Sequence, residues 1–192
     1  MLDIVDLWLP ILASTAAVFF LSFLCWAVSP HHKQDWIALP GEDRLMDSLR
    51  EQGVQAGQYA FPRCEDAQQM REAAFLEKYN RGPKGFLIVA PEGPLNMARN
   101  MATSSAFNLI ATMLVAYVAS LALAPGAEDR AVFRLVSTVA FIAHGAALGW
   151  APIWFGRTWS STLREMGDAL LYGLGTGAIF MALWPSGISI NS

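Results

Sequence analysis

Residues 103–124 read TSSAFNLIATMLVAYVASLALA, without a single Asp, Glu, Lys or Arg. Wound as a helix rising about 1.5 Å per residue, this run covers the roughly 30 Å of a bilayer's hydrocarbon core. Three further windows of the same kind lie at 7–28, 131–153 and 167–184. The third begins early enough to put Arg134 near a helix end, where it can snorkel. The fourth is the shortest and needs the turn holding Gly167 and Asp168. The pattern predicts an all-α integral membrane protein. One membrane domain occupies 1–192, with four transmembrane helices and an insertion of short amphipathic helices over 29–102.

Composition agrees with this reading. Charged residues make up 15% of the chain and hydrophobic residues 54%, against about 25% charged in a soluble domain. The first window is not built as a cleaved signal peptide, which opens on positive charge. It opens instead on Asp3 and Asp6, with no basic residue before Lys33. We read it as a retained helix.

Orientation follows from Lys and Arg. Nine of the thirteen (Lys33, Arg44, Arg50, Arg63, Arg71, Lys78, Arg81, Lys84, Arg99) fall in 29–102. Arg157 and Arg164 lie between the third and fourth windows, and only Arg130 lies between the second and third. By the positive-inside rule, 29–102 and 156–164 are cytoplasmic. Both termini then lie outside the cytoplasm of a bacterial-type inner membrane. The insertion has nine basic and ten acidic residues (Asp35, Glu42, Asp43, Asp47, Glu51, Glu65, Asp66, Glu72, Glu77, Glu92). Its net charge of −1 offers no basic patch to nucleic acid or anionic lipid. Cys25 in the first window and Cys64 in the insertion are expected to stay unpaired.

Within the insertion, Gly41-Glu42-Asp43 opens a short helix that Gly53 caps. Residues 57–62 are extended, with Tyr59 and Phe61 on one side. A second amphipathic helix runs over 66–80. Phe86 to Val89 are too few to span and form a buried strand or a segment lying on the membrane. Tyr59, Phe61, Phe75 and the 86–89 run are expected to pack together or onto the bilayer.

Polar groups inside the windows are the candidate functional residues. His144 lies about 12 Å deep from the cytoplasmic end at 1.5 Å per residue. An ionisable group at that depth is functional or internally bonded by default. Thr112 and Thr176 fall at nearly its depth, with Ser22 and Asn108 slightly shallower, so a polar layer joined by hydrogen bonds is expected. Ala140-x-x-x-His144, with small residues beside it, resembles the Ala-x-x-x-His arrangement of bacterial light-harvesting polypeptides. That resemblance implies a tetrapyrrole ring on His144; the residues alone call for no cofactor.

Gly145-x-x-x-Gly149 and Gly173-x-x-x-Gly177 carry the spacing that lets helix backbones approach in lipid. His31, His32, Asp35 and Cys64 lack the spacing of a zinc site, and adjacent histidines are expected at the headgroups. No metal is expected. Asp168 reads as a first-turn carboxylate that suits the helix dipole, one turn before Tyr172. Phosphate loops, Gly-x-Ser-x-Gly and His-Glu-x-x-His are absent, and no enzyme is expected.

These features favour a non-catalytic accessory or scaffold subunit of an inner-membrane complex. Its partners are the lipid bilayer and other membrane subunits or itself. A homo-oligomeric channel or small transporter built on the His144 layer is the second reading. A pigment- or haem-binding subunit is the third.

Overall fold

The computed structural model describes residues 2–186. The described residues form two compact units: 2–36 with 96–150 and 158–186, and 37–95 with 151–157.

The first unit is a bundle. A single turn of 3-10 helix at Ile4–Leu7, boxed by Asp3 and Asp6, leads into α1 (Trp8–Phe23), which runs on as a π-helical stretch to Val28. Asn96 caps α4 (Met97–Ala122) by accepting from Arg99 N–H. α5 (Asp129–Gly145) continues through a 3-10 turn at Ala146–Gly149. Thr158 caps α7 (Trp159–Ala182). Among the described residues, three stretches, Ile4–Val28, Met97–Ala122 and Asp129–Phe155, are long and apolar enough to cross a membrane. α7 carries Arg164, Glu165 and Asp168 in its first half and is not among these three.

Successive helices run antiparallel, and α1 touches α4 and α7 while α5 touches the same two. The core lies toward the end that holds the start of α1. Leu7 and Ile11 meet Val115, Ala116 and Ala119 of α4, Val132, Val136 and Ala140 of α5, and Phe180 of α7. Gly126 N–H donates to Pro185 O and Trp184 Nε1–H to Ala124 O, which ties that end together. The outer surface is apolar: Leu12, Phe20, Phe107, Leu114, Leu121, Ile142 and Leu170 all stand exposed. So many large apolar side chains on the outside are compatible with a bundle that sits in lipid.

Close packing between α5 and α7 rests on glycine. A Cβ on Gly173 would stand 2.8 Å from Ser137 O, and one on Gly145 2.6 Å from Ala169 Cβ. On Gly177 it would collide with the Ser137 hydroxyl. The expected contact is absent at Gly149, which has no neighbour within 4 Å of such a Cβ among the described residues. The helix has tightened to a 3-10 turn there, which takes Gly149 off the face of Gly145.

The second unit holds α2 (Glu42–Glu51), β1 (Gly57–Phe61), α3 (Ala73–Arg81), β2 (Gly85–Val89) and the short α6 (Trp150–Phe155), apart from α6's first residue. Gly53, at φ +64, closes α2: its N–H bonds Arg50 O and the next N–H bonds Leu49 O. That left-handed cap is where glycine is required. The all-α expectation fails in this unit. β1 and β2 pair antiparallel, with Tyr59 opposite Leu87 and Phe61 opposite Gly85. The β-branched and aromatic residues of both runs suit a pleated ribbon. The expected helix over 66–80 is also shortened. Asp66 Oδ1 accepts from Gln68 and Gln69 N–H, and Glu72 is extended, so α3 starts only at Ala73. Phe86 meets Phe155 edge-on at 5.5 Å, and Phe75 stacks on Tyr79 at 6.0 Å. Tyr59, Phe61, Phe86 and Ile88 nonetheless remain exposed.

Candidate functional site

Proline ends the first helix, and the residues on either side of it build the site. Ser29 is extended, and Pro30–His32 form one 3-10 turn. That turn directs two consecutive histidines toward one acceptor. His31 Nε2 stands 3.0 Å from Asp168 Oδ1, and His32 Nε2 stands 2.7 Å from Asp168 Oδ2. Their rings lie 4.1 Å apart. On its far side His32 Nδ1 reaches Asp35 Oδ2 at 2.6 Å. Arg164 then donates to Asp35 Oδ1 from Nε at 2.9 Å and from Nη2 at 2.7 Å. Ser29 Oγ lies 2.5 Å from His31 Nδ1. The indole of Trp26 stacks flat on the His32 ring at 3.9 Å.

Charge bookkeeping decides the state of His32. A neutral imidazole donates from one nitrogen only, yet both of its nitrogens face carboxylate oxygens. Imidazolium satisfies both. Burial opposes the charge, but the hydrogen bonds to Asp168 and Asp35 and their negative charge outweigh it and raise the pKa. The His32 hydrogen bond lowers that of Asp35 against the cost of burial, with Arg164 adding to the effect. The chain Arg164–Asp35–His32–Asp168 thus alternates in sign and clamps the end of α1 to α7.

Asp168 is therefore no first-turn carboxylate. Helix α7 begins at the Thr158 cap, more than two turns earlier at about 3.6 residues per turn. Nor are the histidines mere headgroup contacts: His32 is 7% exposed. Cys25, buried in the first helix, brings its thiol to the same place. Its Sγ, a His31 ring nitrogen and an Asp168 oxygen all lie within 4.8 Å of one another.

Beside the clamp, the second half of the first helix and the start of α4 stand apart. The groove between them holds about 1130 Å³, walled by Phe19, Phe23, Trp26, Met101 and Phe107, with Tyr172 among its lining residues. Its polar lining includes Ser22, Ser104 and Asn108. The Asn108 side chain makes no hydrogen bond among the described residues.

The expected polar layer is not joined. Ser22 Oγ donates to Phe19 O and Thr112 Oγ1 to Asn108 O, each within its own helix. Thr176 Oγ1 is buried without a partner among the described residues. His144 bonds none of them and meets the Tyr172 ring edge-on at 5.8 Å. The space beside Gly145 that a flat ring would need is taken by Ala169.

Of the expected polar layer, then, Ser22 and Asn108 alone share a feature among the described residues, the groove. The clamp was missed because hydropathy marks apolar windows and not the polar groups at their edges. A charged residue inside a window, Asp168, was the available signal, since such a group demands partners at its own depth.

No protein-family model, no curated protein and no solved structure matches this chain.

Proposed function

We propose that the chain crosses a bacterial-type inner membrane four times, with both termini outside the cytoplasm. In this reading it is a non-catalytic accessory subunit that receives an apolar helix of a partner in the groove between α1 and α4. The carrying observation is the groove itself: about 1130 Å³ with largely apolar walls, above the roughly 300–1,000 Å³ of a small-molecule pocket. Asn108 supports a protein occupant. An amide without a partner at a lipid-facing groove gains from a hydrogen bond to an incoming helix, by about 0.6 kcal/mol on average. The clamp supplies the complement. By tying the end of the first helix to α7, it holds that helix away from α4 and keeps the groove open.

The fourth span is argued from α7. Its 24 residues measure about 36 Å at 1.5 Å per residue. Arg164 and Asp168 sit at the clamp end, where the Lys and Arg distribution places the cytoplasmic face. Their charges are matched there, which lowers the cost of entering the interface.

A photo-crosslinking residue at Met101 or Phe107, activated in intact cells, tests the reading. A discrete adduct with a second membrane protein is expected at both positions and absent from exposed Leu121. Adducts only with this chain itself favour a homo-oligomer and overturn the accessory role. No protein adduct at either position leaves the groove to lipid and also overturns it.

A further inference from the structure

We infer that Cys25, His31 and Asp168 bind a thiophilic divalent transition-metal ion of the Zn²⁺ type. The inference rests on the clamp alone and stands whether or not the groove takes a partner helix. Three different donor types converge from two helices and the turn between Ser29 and Lys33: a thiol, an imidazole nitrogen and a carboxylate oxygen, all within 4.8 Å of one another. Around a tetrahedral zinc, with bonds of about 2.0–2.3 Å, neighbouring donors stand roughly 3.3–3.6 Å apart. The His31–Asp168 separation of 3.0 Å and the 4.8 Å limit on the set need only small side-chain adjustments to reach that spacing.

The surrounding groups already orient the ligands. Ser29 Oγ holds His31 at Nδ1 and leaves Nε2 directed at the site, the arrangement usual for a metal-bound histidine. His32 fixes the other oxygen of Asp168 and is itself fixed by Asp35 and Arg164. The hydroxyl of Tyr172 is buried without a hydrogen-bond partner among the described residues. Thiolate with imidazole selects Zn²⁺ and similar ions over Mg²⁺ or Ca²⁺, which take oxygen donors. On binding, Cys25 releases its thiol proton to solvent and bonds as thiolate. His31 exchanges its hydrogen bond to Asp168 for a shared metal. Three protein donors leave one position of a four-coordinate ion for water.

The test is a Co²⁺ titration of the full chain in detergent, stripped with chelator and with both thiols reduced. A near-ultraviolet thiolate-to-Co²⁺ charge-transfer band is expected at saturation with one ion per chain, bleached by equimolar Zn²⁺. Cys64→Ser should keep the band and Cys25→Ser should lose it. His31→Gln should weaken Co²⁺ binding at least tenfold. His32→Gln, which touches only the outer oxygen of Asp168, should weaken it by about 10–100-fold. Absence of the band in folded Cys64→Ser protein, where Cys25 is the sole thiol, overturns the site even if Cys25→Ser fails to fold. Persistence of the band in Cys25→Ser overturns it equally.

Discussion

His32 Nε2 lies 2.7 Å from Asp168 Oδ2, joining residues 136 positions apart. The His32 and Asp168 side chains are 5% and 10% exposed. Removing one partner of so buried a charged pair strands the other and costs roughly 3–5 kcal/mol. His32→Leu, measured in chelator to keep metal out of the comparison, should therefore lower the melting temperature markedly. Asp47→Ala removes an ion pair whose side chains are 67% and 64% exposed, and it should cost at most about 1 kcal/mol. Equal effects of the two substitutions would show that the clamp is not holding the bundle.

The glycines of the α5–α7 interface should separate into two groups. At Gly173 and Gly177 a new Cβ meets backbone, Ser137 O at 2.8 Å and Phe133 O at 3.0 Å respectively. Backbone cannot step aside, so Gly173→Ala and Gly177→Ala should each cost about 1–3 kcal/mol by overpacking. Gly149 has open space around it and a φ outside the left-handed region. Gly149→Ala should stabilise by about 0.4–1 kcal/mol through the unfolded chain. Thermal melts in one detergent compare all three.

His144 should matter less than its depth suggests. Its contact is the edge of Tyr172 at 5.8 Å, an interaction worth about 0.5–1.5 kcal/mol beyond buried area. His144→Phe preserves an aromatic edge and should leave the melting temperature within error, while His144→Ala should lower it modestly. A large loss in His144→Phe would reveal a hydrogen bond or ligand that the ring geometry does not supply.

What the sequence made legible was set by range. Apolar runs such as 103–124 locate three helices because the cost of burying backbone in lipid is local to each run. The start of α7 was not legible that way: Thr158 caps it by bonding Ser161 N–H, well before the apolar window opens. Gly173 and Gly177 were legible as close-contact residues from spacing alone. The clamp was not, since Asp35 and Arg164 lie outside the apolar windows and Asp168 reads as a first-turn carboxylate until the fold brings them together. Residues 57–62 were legible as extended and 86–89 as either a strand or a segment lying on the membrane, but their pairing joins segments far apart in the chain.

Hydrogen exchange should separate that pairing from a disordered linker. Register places Tyr59 opposite Leu87 and Ala60 opposite Phe86, so amides within 57–61 and 85–89 should exchange more slowly than those at 64–68. An isolated two-stranded ribbon is marginal in water, so protection should be modest compared with the bundle. Uniformly fast exchange across 57–89 would remove the sheet.

Whether α7 crosses the membrane turns on the two ends of the bundle. Gly126 N–H bonds Pro185 O at 2.8 Å, and Trp184 bonds Ala124 O, so the α4–α5 turn and the end of α7 occupy one end. His31 and Arg164 occupy the other, joined through the clamp. If the three most apolar helices span, α7 must run between the same two ends. Single cysteines at Ala127 and Ser186, in a background with Cys25→Ser and Cys64→Ser, should then both label with an impermeant maleimide in intact cells. A cysteine at Arg63 should label only after permeabilisation if the proposed orientation, argued from the Lys and Arg excess, holds. Labelling of Ala127→Cys without Ser186→Cys would mean that α7 does not cross. Labelling of Arg63→Cys in intact cells would invert the whole arrangement.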